Sequence, residues 1–291
     1  MANTLGSVSN GKAIAQRALS ILVDRFPFLT QGVTDFSDVP ARKGDVITTH
    51  LVSVGTASAY DTTNGYVAND RTQTDKTISL SSLMHSTIAI RDDEKASSQI
   101  NLIERFAASA AYAVGKSMVD SVLANISSGN FTSTLTVAAG ALTYRGVTSL
   151  GYTLDNNKVP SVNRFAVVSP DNYASLLNDS SIVANAQLNA DKIGTGRIGL
   201  VNNINVFNYT ALPSAVSKGF AAQQEALLVA ARLPEVPENF PGLVENVTEP
   251  ESGLSMQMRE WFNPNLGQTF RSYIVLFGTG VGSGSSLVRL V

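Results

Sequence analysis

QINLIERFAASAAYAVGKSMVDSVLANI, residues 99–126, carries the pattern on which the fold turns. Ile100, Ile103, Ala107, Ala110, Val114, Met118 and Val122 recur at steps of three or four, which places them on one side of an α-helix. Ala107, Ala108, Ala110, Ala111 and Ala113 favour helix and allow close packing. Asp92-Asp93-Glu94 precede the run and suit the positive end of a helix dipole, and Ser127-Ser128-Gly129-Asn130 end it. The spacing predicts one helix from Gln99 to Ile126, roughly 42 Å long at about 1.5 Å per residue. That is far more than the usual helix of about three turns.

Working back from the helix, Thr77 to Ile90 alternates, with Ile78, Leu80, Met84, Ile88 and Ile90 on one face. Asp45 to Val54 is rich in β-branched residues and reads as a second strand. Gly55 to Lys76 between them is polar and holds the turn signal Asn64-Gly65. The three segments predict a long hairpin that projects from the body. Residues 27–44, with two prolines, two glycines and two aspartates, read as an extended connector. Lys12 to Phe26 has helical spacing, and residues 1–11 read as a mobile arm.

Working forward, Leu142 to Leu154 reads as a helix and Phe165-Ala166-Val167-Val168 as a short strand. Ser169-Pro170-Asp171 is a helix start, with Ser as N-cap and Pro at the first position. Asn203 to Asn208 and Ala226 to Ala231 read as strands, so this part is a mixed α+β unit. After Pro250 the pattern returns to β: Leu254 to Phe262, Gln268 to Phe277 and Ser285 to Val291, with Gly278 to Gly284 as a flexible link.

Composition narrows the function. Charged residues make up 15% of the 291, against about 25% in an ordinary globular chain. Such a surface is β-rich or is buried against copies of itself. The net charge of −2 carries no basic footprint for nucleic acid. Zero cysteines and two histidines exclude disulfide scaffolds, iron–sulfur clusters and Cys- or His-rich metal sites. No stretch approaches the roughly 18 apolar residues of a membrane span. The N-terminus lacks the pattern of a signal peptide, which predicts synthesis in a cytoplasm.

Individual motifs carry little chemistry. Gly194 to Gly199 spells G-x-G-x-x-G, but a strand follows where a dinucleotide site needs a helix. Gly278 to Gly284 lacks the Gly-Lys-Ser/Thr of a phosphate loop. His50 and His85 both fall on predicted strands and could face each other across the hairpin, although two unrelated strand histidines explain them as well. No Gly-x-Ser-x-Gly elbow is present. The expectation is a protein that is not an enzyme, with no catalytic residues, no cofactor and no metal.

The order of parts is the informative feature. Arg164 to Tyr173 (RFAVVSPDNY) with Leu176-Leu177, the Gly-x-Gly at 194–196, the strand Ile204-Asn205-Val206-Phe207 and Leu212-Pro213 follow the hairpin and the long helix. Over essentially the whole chain this resembles the major capsid protein of tailed double-stranded DNA bacteriophages, the Hong Kong 97-type fold.

The resemblance implies an N-terminal arm at 1–44 and an extended hairpin loop with its strands at 45–90. It implies a peripheral domain from 91–130 and 251–291, built on the long spine helix, and an axial domain at 131–250. It implies a structural subunit of the virion, made in the host bacterial cytoplasm, that self-assembles into pentamers and hexamers of an icosahedral shell. Its partners would be copies of itself, a separate scaffolding protein, a portal, optionally a decoration protein, and packaged DNA held without sequence recognition. No membrane would be involved.

The hairpin tip would be the assembly interface, with Tyr60, Asp61, Asn64, Gly65, Tyr66 and Arg71 as its residues. The Lys–Asn cross-link of some family members is not expected, because Lys76, at the base of the loop, is the only lysine near the tip. A bacterial nanocompartment shell, a phage tail protein and a nucleotide-dependent enzyme built on Gly194 to Gly199 are the alternative readings.

Overall fold

The computed structural model describes residue 28 and residues 31–52, 57–66, 73–93, 102–182, 198–248 and 253–291. Its first strands are β1 (Val33–Ala41), β2 (Val46–Val52), β3 (Gln73–Ser79) and β4 (Ser82–Arg91). The helix α1 (Leu102–Ala124) follows, then β5 (Thr134–Leu135), α2 (Tyr144–Asn156), β6 (Arg164–Val168) and α3 (Pro170–Leu177). The remaining strands are β7 (Gly199–Val201), β8 (Ile204–Asn208), β9 (Gly219–Gln223), β10 (Leu227–Pro234), β11 (Leu243–Thr248), β12 (Ser255–Asn263), β13 (Gln268–Val281) and β14 (Leu287–Leu290).

α1 realises the predicted stripe from Ala110 onward, while the side chains of Ile100, Ile103 and Ala107 lie outside the described residues. Ala110, Ala111, Val114, Met118, Val119, Val122 and Leu123 are buried, while Ala113, Asp120 and Ala124 are exposed. The stripe lies on the first sheet, ordered β1-β10-β13-β12-β11, with β4 also paired to β13. Val229, Ala231, Met256, Met258, Tyr273, Val275 and Phe277 form the sheet's share of that core. Strand alternation sends Leu228, Ala230 and Leu276 to the opposite face, where they meet Ile78 and Leu80. The central strands are thus covered on both sides, by α1 and by the root of the β2–β3 hairpin.

The second sheet runs β5-β14-β9-β6-β8-β7. Ala166 and Val168 of β6 face a core with Val147, Leu150 and Leu154 of α2 and Leu176 of α3. Phe165 and Val167 point the other way, into the core shared with α1. One hydrophobic core therefore runs from the first sheet through α1 to the second. Ser169 caps α3 as expected, accepting from the Asn172 amide, with Pro170 at the first turn. Thr143 caps α2 in the same way.

Three expectations are corrected. Residues 27–44 are not only a connector, because β1 lies within them and pairs parallel with β10. β1 was hidden by its polar sequence: it is an edge strand, and its Asp35 pairs with Arg232 at 2.6 Å. Thr77 to Ile90 is not one strand. It breaks at Leu80, whose carbonyl and amide bind the Gly44 amide and the Asp45 carbonyl, so that β3 pairs with β2 and β4 with β13.

The link at Gly278 to Gly284 is also replaced, because β13 runs on to Val281. One of its glycines answers to crowding: a Cβ on Gly278 would stand 2.2 Å from the Ser79 carbonyl oxygen. The two sheets draw on both sequence segments either side of Pro250. β10 and β11 join the first sheet, and β14 joins the second.

Candidate assembly interface

The hairpin is pinned at one end and open at the other. β2 and β3 pair antiparallel from Val46↔Ser79 to Val52↔Gln73, seven residues a side and roughly 24 Å at about 3.4 Å per residue. At its root Ile78 is 2% exposed and Leu80 fully buried. At its far end Asp61 and Gly65 form an isolated bridge, with the Gly65 amide donating to the Asp61 carbonyl at 2.8 Å. Gly65 sits at φ 72°, a backbone conformation that glycine adopts without strain.

The Asp61 carboxylate organises the tip. Its Oδ1 accepts from the Thr63 amide at 2.8 Å and its Oδ2 from Asn64 Nδ2 at 2.7 Å. Both donors favour the ionised form, and the Thr63 bond leads in holding its pKa below the ordinary aspartate value. Tyr60 and Tyr66 flank this turn with ring centroids 5.1 Å apart. They are 60% and 94% exposed, so a large aromatic area is presented on a preset turn. Tyr60, Asp61, Asn64, Gly65 and Tyr66 are therefore brought together, and Arg71 lies outside the described residues.

The other candidate residues do not form sites. His50 stands opposite Asp75, and His85 stands opposite Ile274 on β13, so the two histidines do not face each other across the hairpin. His85 Nδ1 lies 3.1 Å from Thr87 Oγ1. Of Gly194 to Gly199, only Ile198 and Gly199 are among the described residues, and Gly199 opens a strand. Among the described residues no group of three or more His, Asp or Glu could hold a metal ion. Among them, too, no helix is long and apolar enough to cross a membrane.

The sequence matches no protein-family model and no curated protein. Its architecture does have counterparts. The structure of Mycobacterium phage Che8 is similar over 85% of each chain, at 15% identity and a TM-score of 0.57. The capsid structure of the cyanophage P-SCSP1u is similar over 90% of this chain and 86% of that one, at 13% identity and a TM-score of 0.60. This chain has a phage capsid fold. A virus-like particle from Pyrococcus furiosus shares it over 97% of this chain and 98% of that one, at 12% identity and a TM-score of 0.52. Such likeness at so little identity means that the capsid fold here is held by pattern rather than by particular residues.

Sequence reasoning located the tip through Asn64-Gly65 but missed what organises it. The signal was available: an aspartate three residues before an asparagine in a turn commonly binds local backbone amides. The hairpin's root is a separate core that alternation does not mark, because Ile78 and Leu80 share the face of Ile90 in that pattern.

Proposed function

We propose that this chain is a major capsid protein of the Hong Kong 97 type, a structural subunit without catalytic turnover. Copies associate as pentamers and hexamers into an icosahedral head that encloses double-stranded DNA. In this reading α1 and the first sheet form the peripheral unit, and the second sheet with α2 and α3 forms the axial unit. The observation that carries the proposal is a hairpin locked at its root by Ile78 and Leu80 while its tip holds two exposed tyrosines on a preformed turn. A lone subunit gains nothing from that arrangement. A shell subunit uses it as a clasp on a neighbouring copy, and the wider interfaces of such assemblies run to thousands of Å².

Low surface charge supports the same reading, because a subunit covered by its neighbours needs few charges for solubility. At a net charge of −2 the interior holds packed DNA without strong counterion release. A scaffolding protein, a portal and optionally a decoration protein would be the other partners, and the virion the final location.

Purified protein should sediment as closed shells, or as pentamers and hexamers, and particles should be visible in negative stain. A monodisperse species of 30.8 kDa at every concentration would overturn the proposal. Tubes would favour a tail protein. The likeness over nearly the full length of the virus-like particle chain supports a nanocompartment as the second reading. Shells made in the native host that hold protein cargo and no DNA would decide for it.

A further inference from the structure

The tip holds a chemical liability that the clasp reading does not need. Asn64 is exposed and is followed by Gly65, whose missing side chain leaves the approach to its nitrogen uncrowded: beyond its chain neighbours no atom lies within 4 Å of the place a Cβ would occupy. An asparagine before glycine is the sequence most open to attack by the following backbone nitrogen on its side-chain amide. Two hydrogen bonds oppose that attack here. The Gly65 N–H is held by the Asp61 carbonyl at 2.8 Å, and Asn64 Nδ2 is held by Asp61 Oδ2 at 2.7 Å.

We propose that Asn64 is a site of spontaneous deamidation, gated by the hydrogen bonds that Asp61 makes within the hairpin tip. The Gly65 nitrogen loses its proton to solvent and forms a bond to Asn64 Cγ. The Cγ–Nδ2 bond breaks and ammonia leaves with a proton from water. Water then opens the succinimide at either carbonyl, giving aspartate or isoaspartate, with no redox change. Asp61 is a positioning residue, since it sets where the amide points and how often the Gly65 nitrogen is free.

The product disables the device that delayed it. A carboxylate at position 64 no longer donates to Asp61 Oδ2 and repels it instead. Isoaspartate also adds a main-chain atom inside the loop closed by Asp61 and Gly65, which breaks their bridge and the seating of Tyr60 and Tyr66. Given the clasp reading proposed above, a free subunit then loses assembly competence with age, while a subunit already in a shell is shielded.

The test is peptide mapping by mass spectrometry of the purified full chain, aged at mildly alkaline pH. A synthetic peptide of residues 57–70 serves as the unfolded reference. Asn64 in the folded chain should gain about one dalton, more slowly than in the peptide, with isoaspartate as the main product. Asp61→Ala, which frees Asn64 and Thr63 from the carboxylate, should speed the conversion several-fold, and Gly65→Ala should slow it more than tenfold; circular dichroism verifies that each variant stays folded. An intact Asn64 when the peptide is fully converted would overturn the proposal. Equal rates with and without the Asp61 carboxylate would overturn the gating, and conversion at the native rate in Gly65→Ala would overturn the chemistry. Ageing free subunits beside shells separates the two readings: equal rates in both would remove the clasp and leave the deamidation standing.

Discussion

Arg164 Nη2 donates to Asp155 Oδ1 at 2.7 Å, although the guanidinium side is 4% exposed and the carboxylate side 62%. The same guanidinium also donates to the carbonyls of Pro160 and Val159 at 2.9 and 2.6 Å. One side chain at the start of β6 thereby ties down the chain that leaves α2. Asp155→Ala removes a largely exposed counter-charge from a buried cation that the Pro160 and Val159 carbonyls still hold, at a cost of about 1–2 kcal/mol. Arg164→Met also leaves the Pro160 and Val159 carbonyls without their donor, so it should be the costlier single change, and the double variant should lose less than the sum of the two. Urea unfolding of the native chain, both single variants and the double closes the cycle. Strictly additive losses would show that the pair is not coupled.

Gly278 and Gly280 lie two residues apart on β13, yet only one is crowded. A Cβ at Gly278 would meet the Ser79 carbonyl oxygen at 2.2 Å and Ile78 Cγ2 at 2.9 Å, whereas at Gly280 the nearest atom is 3.6 Å away. Gly278→Ala must push the hairpin root off the sheet and should cost about 2 kcal/mol or more. Gly280→Ala restricts the unfolded chain at an ordinary contact, so it should be neutral or stabilising by about 0.5 kcal/mol. Thermal melts of the two variants side by side test the close approach, and equal behaviour would refute it.

The Asp179 carboxylate links the end of α3 to the start of α2. Its Oδ2 accepts from the Tyr144 amide at 2.8 Å and its Oδ1 from the Ser181 amide at 2.8 Å. The Tyr144 bond is the leading cause that holds its pKa below the ordinary 3.8. A carboxyl whose folded pKa is depressed stabilises above its unfolded pKa and loses that contribution as pH falls through the folded value. The stability gap between native protein and Asp179→Ala should thus be constant near neutrality and close below about pH 4. A gap that widens on acidification would contradict the assignment.

How much of this was legible follows from where each element gets its order. α1 announces itself because a long amphipathic helix repeats one rule through many residues, and Ser169-Pro170 marks α3 by local chemistry alone. β1, β7, β9 and β11 gave weaker signals. β1 is a polar edge strand, β7 has three residues, and β9 (GFAAQ) is buried on both faces and so shows no alternation. The break at Leu80 is tertiary: it exists because Gly44 and Asp45 come back to meet it. Asn64-Gly65 was legible as a turn, but the grip of Asp61 and the pairing of Tyr60 with Tyr66 depend on side-chain geometry that spacing does not encode.

The helix and the tip make opposite demands on a substitution, and that contrast separates folding from assembly. Ala110 is 6% exposed and lies one turn from Val114, which is 3% exposed, in the core beneath α1. Ala110→Asp places a carboxylate in that apolar core. Burying it unpaired costs several kcal/mol, on the order of the whole stability of a domain, about 5–15 kcal/mol. Soluble protein should be lost. Tyr66→Ala acts where the native side chain is 94% exposed, so subunit stability should move by no more than about 0.5 kcal/mol. Shell formation should nevertheless weaken, because the aromatic anchor of the clasp is gone. Circular dichroism followed by sedimentation reads both outcomes on the same samples. If Ala110→Asp folds and assembles like the native chain, α1 is not the buried spine of the subunit. If Tyr66→Ala forms shells at the native concentration and rate, the tip is not the clasp.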